Sequence, residues 1–169
     1  VSKQTILVVD DERDILDLIE YNLKIEGFNV LKAENGQEGI TKAKEGMPDL
    51  ILLDIMMPKM DGLEAVEIMR EDKDLKKTPI IFLTAKSDER TEIECLNKGG
   101  DDYITKPIDF DETLARVKTQ IRLQTMFREN RDLQGRLGEA RRSAAIGAVA
   151  QGLTHNLNNL LGVVVGYLD

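Results

Sequence analysis

Five short apolar runs punctuate the first two-thirds of the chain: Ile6-Leu7-Val8-Val9, Val30-Leu31, Leu50-Ile51-Leu52-Leu53, Ile80-Ile81-Phe82-Leu83 and Tyr103-Ile104. Each is followed by acids or turn residues, so each reads as a strand. Between them the apolar positions switch to helical spacing, at Ile15, Leu16, Ile19 and Leu23, then Ile40 and Ala43, then Leu63, Val66 and Met69, then Ile93 and Leu96. Runs of Ile, Leu and Val on consecutive positions are buried on both faces, which a parallel sheet between two helix layers requires. The pattern therefore predicts an α/β fold, a doubly wound five-stranded parallel sheet. After Asp109 no strand-like run recurs before Asp169, and one or two long helices are expected there, with Gly135 and Gly138 as weak points.

The tail carries its own periodicity. Ile146, Val149, Leu153, Leu157, Leu160, Val164 and Tyr167 recur at spacings of three and four, the seam of a coiled coil or four-helix bundle. This helix expects a partner, and a homodimer through the C-terminal helices is the arrangement it predicts. His155 lies about 200° round from both Leu153 and Leu157, so it is expected to be exposed, with Asn159 one turn beyond it and Gln151 one turn before. The chain is read as three segments: a globular domain over 1–124, a coiled-coil helix over 125–144, and a further helix over 145–169.

Composition narrows the class. Of 169 residues, 41% are hydrophobic and 32% charged, the balance of a soluble protein, and no apolar run approaches the roughly 20 residues of a membrane span. Val1 to Thr5 hold no basic leader or cleavage pattern, and Cys95 is the only cysteine, so no intrachain disulfide can form. Both facts suit a cytoplasmic protein, and Cys95 reads as a small buried hydrophobe. A net charge of -8 argues against a nucleic-acid grip. The basic stretch from Arg116 to Arg142 reads as a solvated helix face, and no helix-turn-helix or finger pattern accompanies it, so no DNA partner is expected.

In open parallel sheets, ligands collect outside the carboxyl ends of the strands. Those ends carry Asp10 and Asp11 after the first strand, Asp54 after the third, Thr84 after the fourth and Lys106 after the fifth. Three neighbouring carboxylates repel one another and raise each other's pKa, so the set makes sense around a hard divalent cation, Mg²⁺ being the natural choice. Two carboxylates and a backbone carbonyl leave room for a phosphate oxygen on the same ion, and a carboxylate beside it can act as nucleophile. Lys106 and Thr84 could then share the charge of a transferring phosphoryl group. The Met56-Met57 pair offers soft sulfur, which suits copper better than this ion, and reads as loop packing.

Val8-Val9-Asp10-Asp11-Glu12, Leu53-Asp54-Ile55-Met56-Met57-Pro58-Lys59-Met60-Asp61-Gly62, Leu83-Thr84-Ala85 and Asp101-Asp102-Tyr103-Ile104-Thr105-Lys106-Pro107 together resemble the receiver domains of two-component response regulators, over residues 3 to about 124. The resemblance implies a flavodoxin-like fold and makes Asp54 the phosphoacceptor. It gives Mg²⁺ to Asp10, Asp11 and Asp54 with the Met56 carbonyl, and places Thr84 and Lys106 on the phosphoryl group. It also implies a cis Lys106–Pro107 bond and a switch role for Tyr103, which turns inward as Thr84 moves. An upstream histidine kinase or phosphotransfer protein is the implied phosphodonor.

Gly147 to Leu161 resembles the H box of sensor histidine kinases, on the first helix of their dimerisation and phosphotransfer domain, which makes His155 a candidate second phosphoacceptor. The match departs at Asn156, where that family has an acidic residue; an amide cannot accept a proton at neutral pH, so it orients but does not serve as base. Asn159 matches the position that family associates with phosphatase action. With no second helix and no Gly-rich ATP lid following, the reading expects a fragment of a longer, histidine kinase-like phosphotransferase. The leading expectation is a receiver, phosphorylated on Asp54, that regulates an attached kinase-like module through a dimeric helix. The alternative is a phosphorylation-dependent docking module with an inert His155. An independent aspartyl phosphatase needs a second acid and a substrate cap, and no insertion is large enough to form a cap.

Overall fold

The computed structural model describes residues 2–85 and 89–166. Five strands alternate with five helices: β1 (Thr5–Val9), α1 (Arg13–Ile25), β2 (Asn29–Ala33), α2 (Gly36–Gly46), β3 (Leu50–Asp54), α3 (Gly62–Glu71), β4 (Ile80–Thr84), α4 (Glu89–Asn97), β5 (Asp102–Thr105) and α5 (Phe110–Gly166). The strands form one parallel sheet in the order β2-β1-β3-β4-β5. This is the doubly wound fold the apolar runs predict, and the tail is a single long helix.

Successive strand residues point to opposite faces, which divides the interior in two. Leu7, Val9, Ile51, Leu53 and Phe82 pack against Ile40 and Ala43 of α2, Val66 and Met69 of α3, and Cys95 of α4. Ile6, Val8, Leu50, Leu52 and Leu83 pack on the other side against Leu16, Ile19 and Leu23 of α1 and Val117 and Ile121 of α5. The central strands β3 and β4 are buried along their whole length, as their unbroken Ile and Leu runs require.

On α4 the helically spaced Ile93 and Leu96 are 59% and 46% exposed, and the helix instead buries Cys95 completely. The reason lies in the turn that follows: a Cβ on Gly100 would sit 2.5 Å from the Phe82 ring and 2.9 Å from the Cys95 carbonyl, so backbone fills the space a larger side chain on α4 would need. The Met56-Met57 pair divides as well, Met57 packing into the core while Met56 is exposed.

The chain separates into two compact units, Val1–Gln124 and Thr125–Asp169. The second consists of the continuation of α5, on which Ile146, Val149, Leu153, Leu157 and Leu160 are all largely exposed. Tyr167 and the side chain of Val164, the last positions of that expected seam, lie outside the described residues. No described helix is long and apolar enough to cross a membrane.

Candidate functional site

Strand register gathers the candidate residues. Val9 stands level with Leu53, Asp54 with Leu83, and Thr84 with Thr105. The residues at or just past these positions are Asp10, Asp54, Thr84 and Lys106, so four strands deliver their terminal side chains to one edge of the sheet. Gly62 closes the floor: its N–H donates to the Ile55 carbonyl at 2.9 Å, and a Cβ there would lie 2.3 Å from the Asp54 carbonyl oxygen.

Carboxylate oxygens of Asp10, Asp11 and Asp54 lie within 4.8 Å of one another. Asp10 is fully buried and Asp54 nearly so, whereas Asp11 faces solvent. Asp10 Oδ1 accepts the Glu12 backbone N–H at 2.9 Å, and Asp54 Oδ1 accepts that of Met56 at a long 3.4 Å. The Lys106 Nζ sits 2.8 Å from Asp10 Oδ2, 3.3 Å from Glu12 Oε1 and 3.5 Å from Asp54 Oδ2. The ammonium is close enough to Asp10 Oδ2 for strong Coulomb attraction, and this ion pair is the contact that the buried oxygen makes among the described residues. The peptide before Pro107 is cis.

The electrostatics follow from burial. Desolvation, and then the neighbouring Asp10 charge, push the Asp54 carboxyl up to about 7, against smaller opposing effects of Lys106 and the Met56 N–H. Burial works against the Lys106 charge, but Asp10 and Asp54 outweigh it and hold its pKa above the ordinary lysine value. One ammonium thus faces three acids, and the Thr84 hydroxyl, 2% exposed, has no hydrogen-bond partner among the described residues. An all-oxygen donor set, excess negative charge and under-satisfied buried oxygens fit a hard divalent cation of Mg²⁺ type better than a soft metal.

Tyr103 is half-buried on β5, level with Phe82 of β4. A hydrogen bond to Glu92 raises its pKa, with burial adding to it, and the Arg116 guanidinium lies 6.0 Å from the ring centroid. That guanidinium is itself fixed by both Asp102 oxygens at 2.9 Å. In the second unit His155 is exposed, as are the seam residues Leu153 and Leu157 on the same helix, and the Asn159 amide nitrogen lies 3.2 Å from His155 Nε2.

Sequence reasoning missed three partners. Glu12 was legible as the acid after the Asp pair, but its contact with Lys106 joins residues 94 apart in the chain. Nothing in the local pattern marks Glu92 and Arg116 as neighbours of Tyr103.

The family described as the response regulator receiver domain matches residues 6–118. The alkaline phosphatase synthesis transcriptional regulatory protein PhoP of Bacillus subtilis (strain 168) is 46% identical over 117 residues, 69% of this chain and 48% of that protein. The transcriptional regulatory protein DltR of Streptococcus agalactiae serotype III (strain NEM316) is 43% identical over 136 residues, 80% of this chain and 58% of that one. The chain therefore spans about half the length of these curated relatives. Among solved structures, a CheY-like response regulator receiver domain protein of Methanospirillum hungatei JF-1 superposes with a TM-score of 0.69 at 31% identity, covering 74% of this chain and 98% of that one. The signal receiver domain of a signal transduction histidine kinase from Syntrophus aciditrophicus superposes with a TM-score of 0.65 at 32% identity, covering 70% and 89%.

Proposed function

This chain belongs to the response regulator receiver family, and from that premise we propose that Asp54 is the side chain that takes a phosphoryl group from a histidine kinase or phosphotransfer protein. An Asp54 Oδ attacks phosphorus while the bond from phosphorus to the donor histidine nitrogen breaks, leaving an aspartyl phosphate and a free imidazole. Asp10, Asp11, Asp54 and the Met56 carbonyl would hold Mg²⁺, which supplies charge neutralisation at the phosphoryl oxygens. The chain's own residues do the rest. Lys106 would neutralise the gathering negative charge, and the Thr84 hydroxyl, without a partner among the described residues, would donate to a phosphoryl oxygen once one arrives. Tyr103 follows Thr84 by leaving its Glu92 contact, which carries the change to the surface of α4 and β5.

The observation that supports this reading most is the Asp54 carboxyl itself, nearly buried, pushed up to about 7 and faced by a single ammonium. Such a group is poised for a cation and an incoming phosphoryl group. Incubation with acetyl phosphate and Mg²⁺, followed by mass spectrometric mapping, should place one phosphoryl group on Asp54. Label that persists in Asp54→Asn overturns the assignment.

For the output, the reading is that phosphorylation biases how α5 pairs in a dimer and thereby regulates a histidine kinase-like module beginning near Ala145, with His155 as a second phosphoacceptor. The His155–Asn159 contact supports it. The competing reading, a docking module with an inert His155, is favoured by Asn156, which supplies no base. PhoP and DltR are transcriptional regulatory proteins by name, and an output of that kind would leave His155 equally inert. Incubating the phosphorylated chain and its His155→Ala variant with a fresh receiver separates these: transfer that depends on His155 supports the first.

A further inference from the structure

No single apolar face runs the length of α5. In its second unit the helix carries two. Upstream, Met126, Asn130, Leu133, Leu137, Ala140 and Ala144 recur at alternating spacings of four and three, a heptad seam. Downstream, Ile146, Val149, Leu153 and Leu160 form another. Leu133 and Leu137 are 60% and 58% exposed, Val149 and Leu153 63% and 59%, so neither face is covered by this chain. From Leu133 to Val149, and again from Leu137 to Leu153, is sixteen residues, which at about 100° per residue sets the two faces roughly 160° apart. A straight pair of helices can close one of them or the other.

The phase of His155 gives this a consequence. It follows Leu137 by eighteen residues, about five full turns, so it stands in line with the upstream seam and opposite the downstream one. Between them the aligned positions hold Ala144 and Ala148, and Gln151 falls on the same face as Leu133. These small residues let a second helix approach closely as it runs on toward the imidazole.

We propose that α5 has two competing pairing faces for a second copy of this chain, and that the face chosen decides whether His155 is covered or open. The upstream seam argues for a second copy in parallel. Asn130 falls at a heptad a position, where a lone amide meets its own counterpart across a two-fold axis and fixes register and a two-stranded state. The same alignment brings Arg136 of each copy beside Arg141 of the other, a like-charge contact that keeps the upstream seam from closing for good. The downstream seam buries no polar residue among these four positions and leaves His155 on the outside.

Full-chain variants Leu137→Cys and Leu153→Cys test this, each oxidised with copper and air to a disulfide-linked dimer; the native Cys95 is fully buried. His155 is the sole histidine, so its reaction with diethylpyrocarbonate reads one site. Linkage at 137 should slow that reaction by about tenfold, the mark of a population moved to the covered state, while linkage at 153 should leave it as fast as in the reduced protein. Equal rates in the two linked dimers, or linkage at neither position, overturns the proposal. Leu133→Ser checks it without an upstream bridge: placed in the Leu153→Cys background it should raise cross-linking at 153, and unchanged cross-linking counts against competition. No phosphoryl group is involved, so failure here leaves the Asp54 reading standing, and failure of Asp54 to take label leaves this one standing.

Discussion

Replacing Asp54 by Asn should stabilise the metal-free protein at alkaline pH. Burial and Asp10 raise the Asp54 carboxyl from 3.8 to about 7, so between those values the folded state holds a proton that the unfolded chain releases. Stability therefore falls as pH rises through that window, and the penalty is complete above about 7. That rise corresponds to a ceiling of about 4 kcal/mol. Asn keeps the shape and removes the charge, and with it a weak attraction to Lys106 at 3.5 Å, which brings the expected gain to about 2 kcal/mol. Lys106 retains Asp10 and Glu12 and is not stranded. Urea unfolding of both proteins in EDTA, followed by far-UV circular dichroism, should show a higher midpoint with unchanged slope for Asp54→Asn at pH 8. The two midpoints should converge at pH 4. Added Mg²⁺ should narrow the gap at pH 8, because a ligand that binds only the native wild type stabilises it. An Asn variant no more stable than wild type at pH 8, or a gap that does not change with pH, would refute the electrostatic account of this pocket.

Other perturbations test neighbouring parts of the structure. Lys106→Met leaves the three acids without their ammonium and should cost about 2 kcal/mol in EDTA, measured by urea unfolding, with partial recovery in Mg²⁺; its labelling rate by acetyl phosphate should fall. Arg70→Lys should cost about 2–3 kcal/mol, because the guanidinium donates at once to the carbonyls of Gly99, Leu75, Lys76 and Thr78 and to Asp101, and an ammonium cannot span that set. Gly62→Ala forces a Cβ against the Asp54 carbonyl oxygen and should cost about 3 kcal/mol by the same measurement while slowing Asp54 labelling. Met47→Gly relieves a left-handed residue, φ 43°, at the end of α2 and should raise stability by about 1 kcal/mol.

What the amino-acid pattern revealed and what it hid divide along a physical line. Strands β1, β3 and β4 were legible because burial on both faces demands an unbroken apolar run, and each of them has one. The placement of Asp10, Asp54, Thr84 and Lys106 was legible for a related reason: parallel strands of similar length end level, so residues just past each run share one edge. His155 and Asn159 were legible because one helical turn fixes their separation whatever surrounds them. The face of α4 was not, because only nine residues define its phase and the turn at Gly100 decides how near it approaches the sheet. Arg70 reads locally as the basic end of an amphipathic helix, yet its guanidinium gathers carbonyls from a loop and a turn that meet only in the folded state.

The same distinction explains why the pocket is stable enough to exist and still ready to change. The sheet edge that holds Asp54 is set by register and by two apolar cores, none of which depends on the charges at the site. That framework can carry three acids and one ammonium with an unpaired Thr84 hydroxyl, a set that is unfavourable on its own. On the proposed reading, each group left short of a partner is a place where a cation or a phosphoryl oxygen gains free energy by arriving, and that gain would move Thr84 and then Tyr103. Tyr103 is held by contacts from elements outside the pocket, Glu92 of α4 and Arg116 of α5. On the proposed reading its release would therefore be coupled to the surface of those helices and not to the core. Loosening that hold with Glu92→Gln, at a partly exposed position, should cost no more than about 1 kcal/mol of folding stability, while changing the response of Tyr103 fluorescence to beryllofluoride and Mg²⁺. A response identical to wild type would place the restraint on Tyr103 elsewhere.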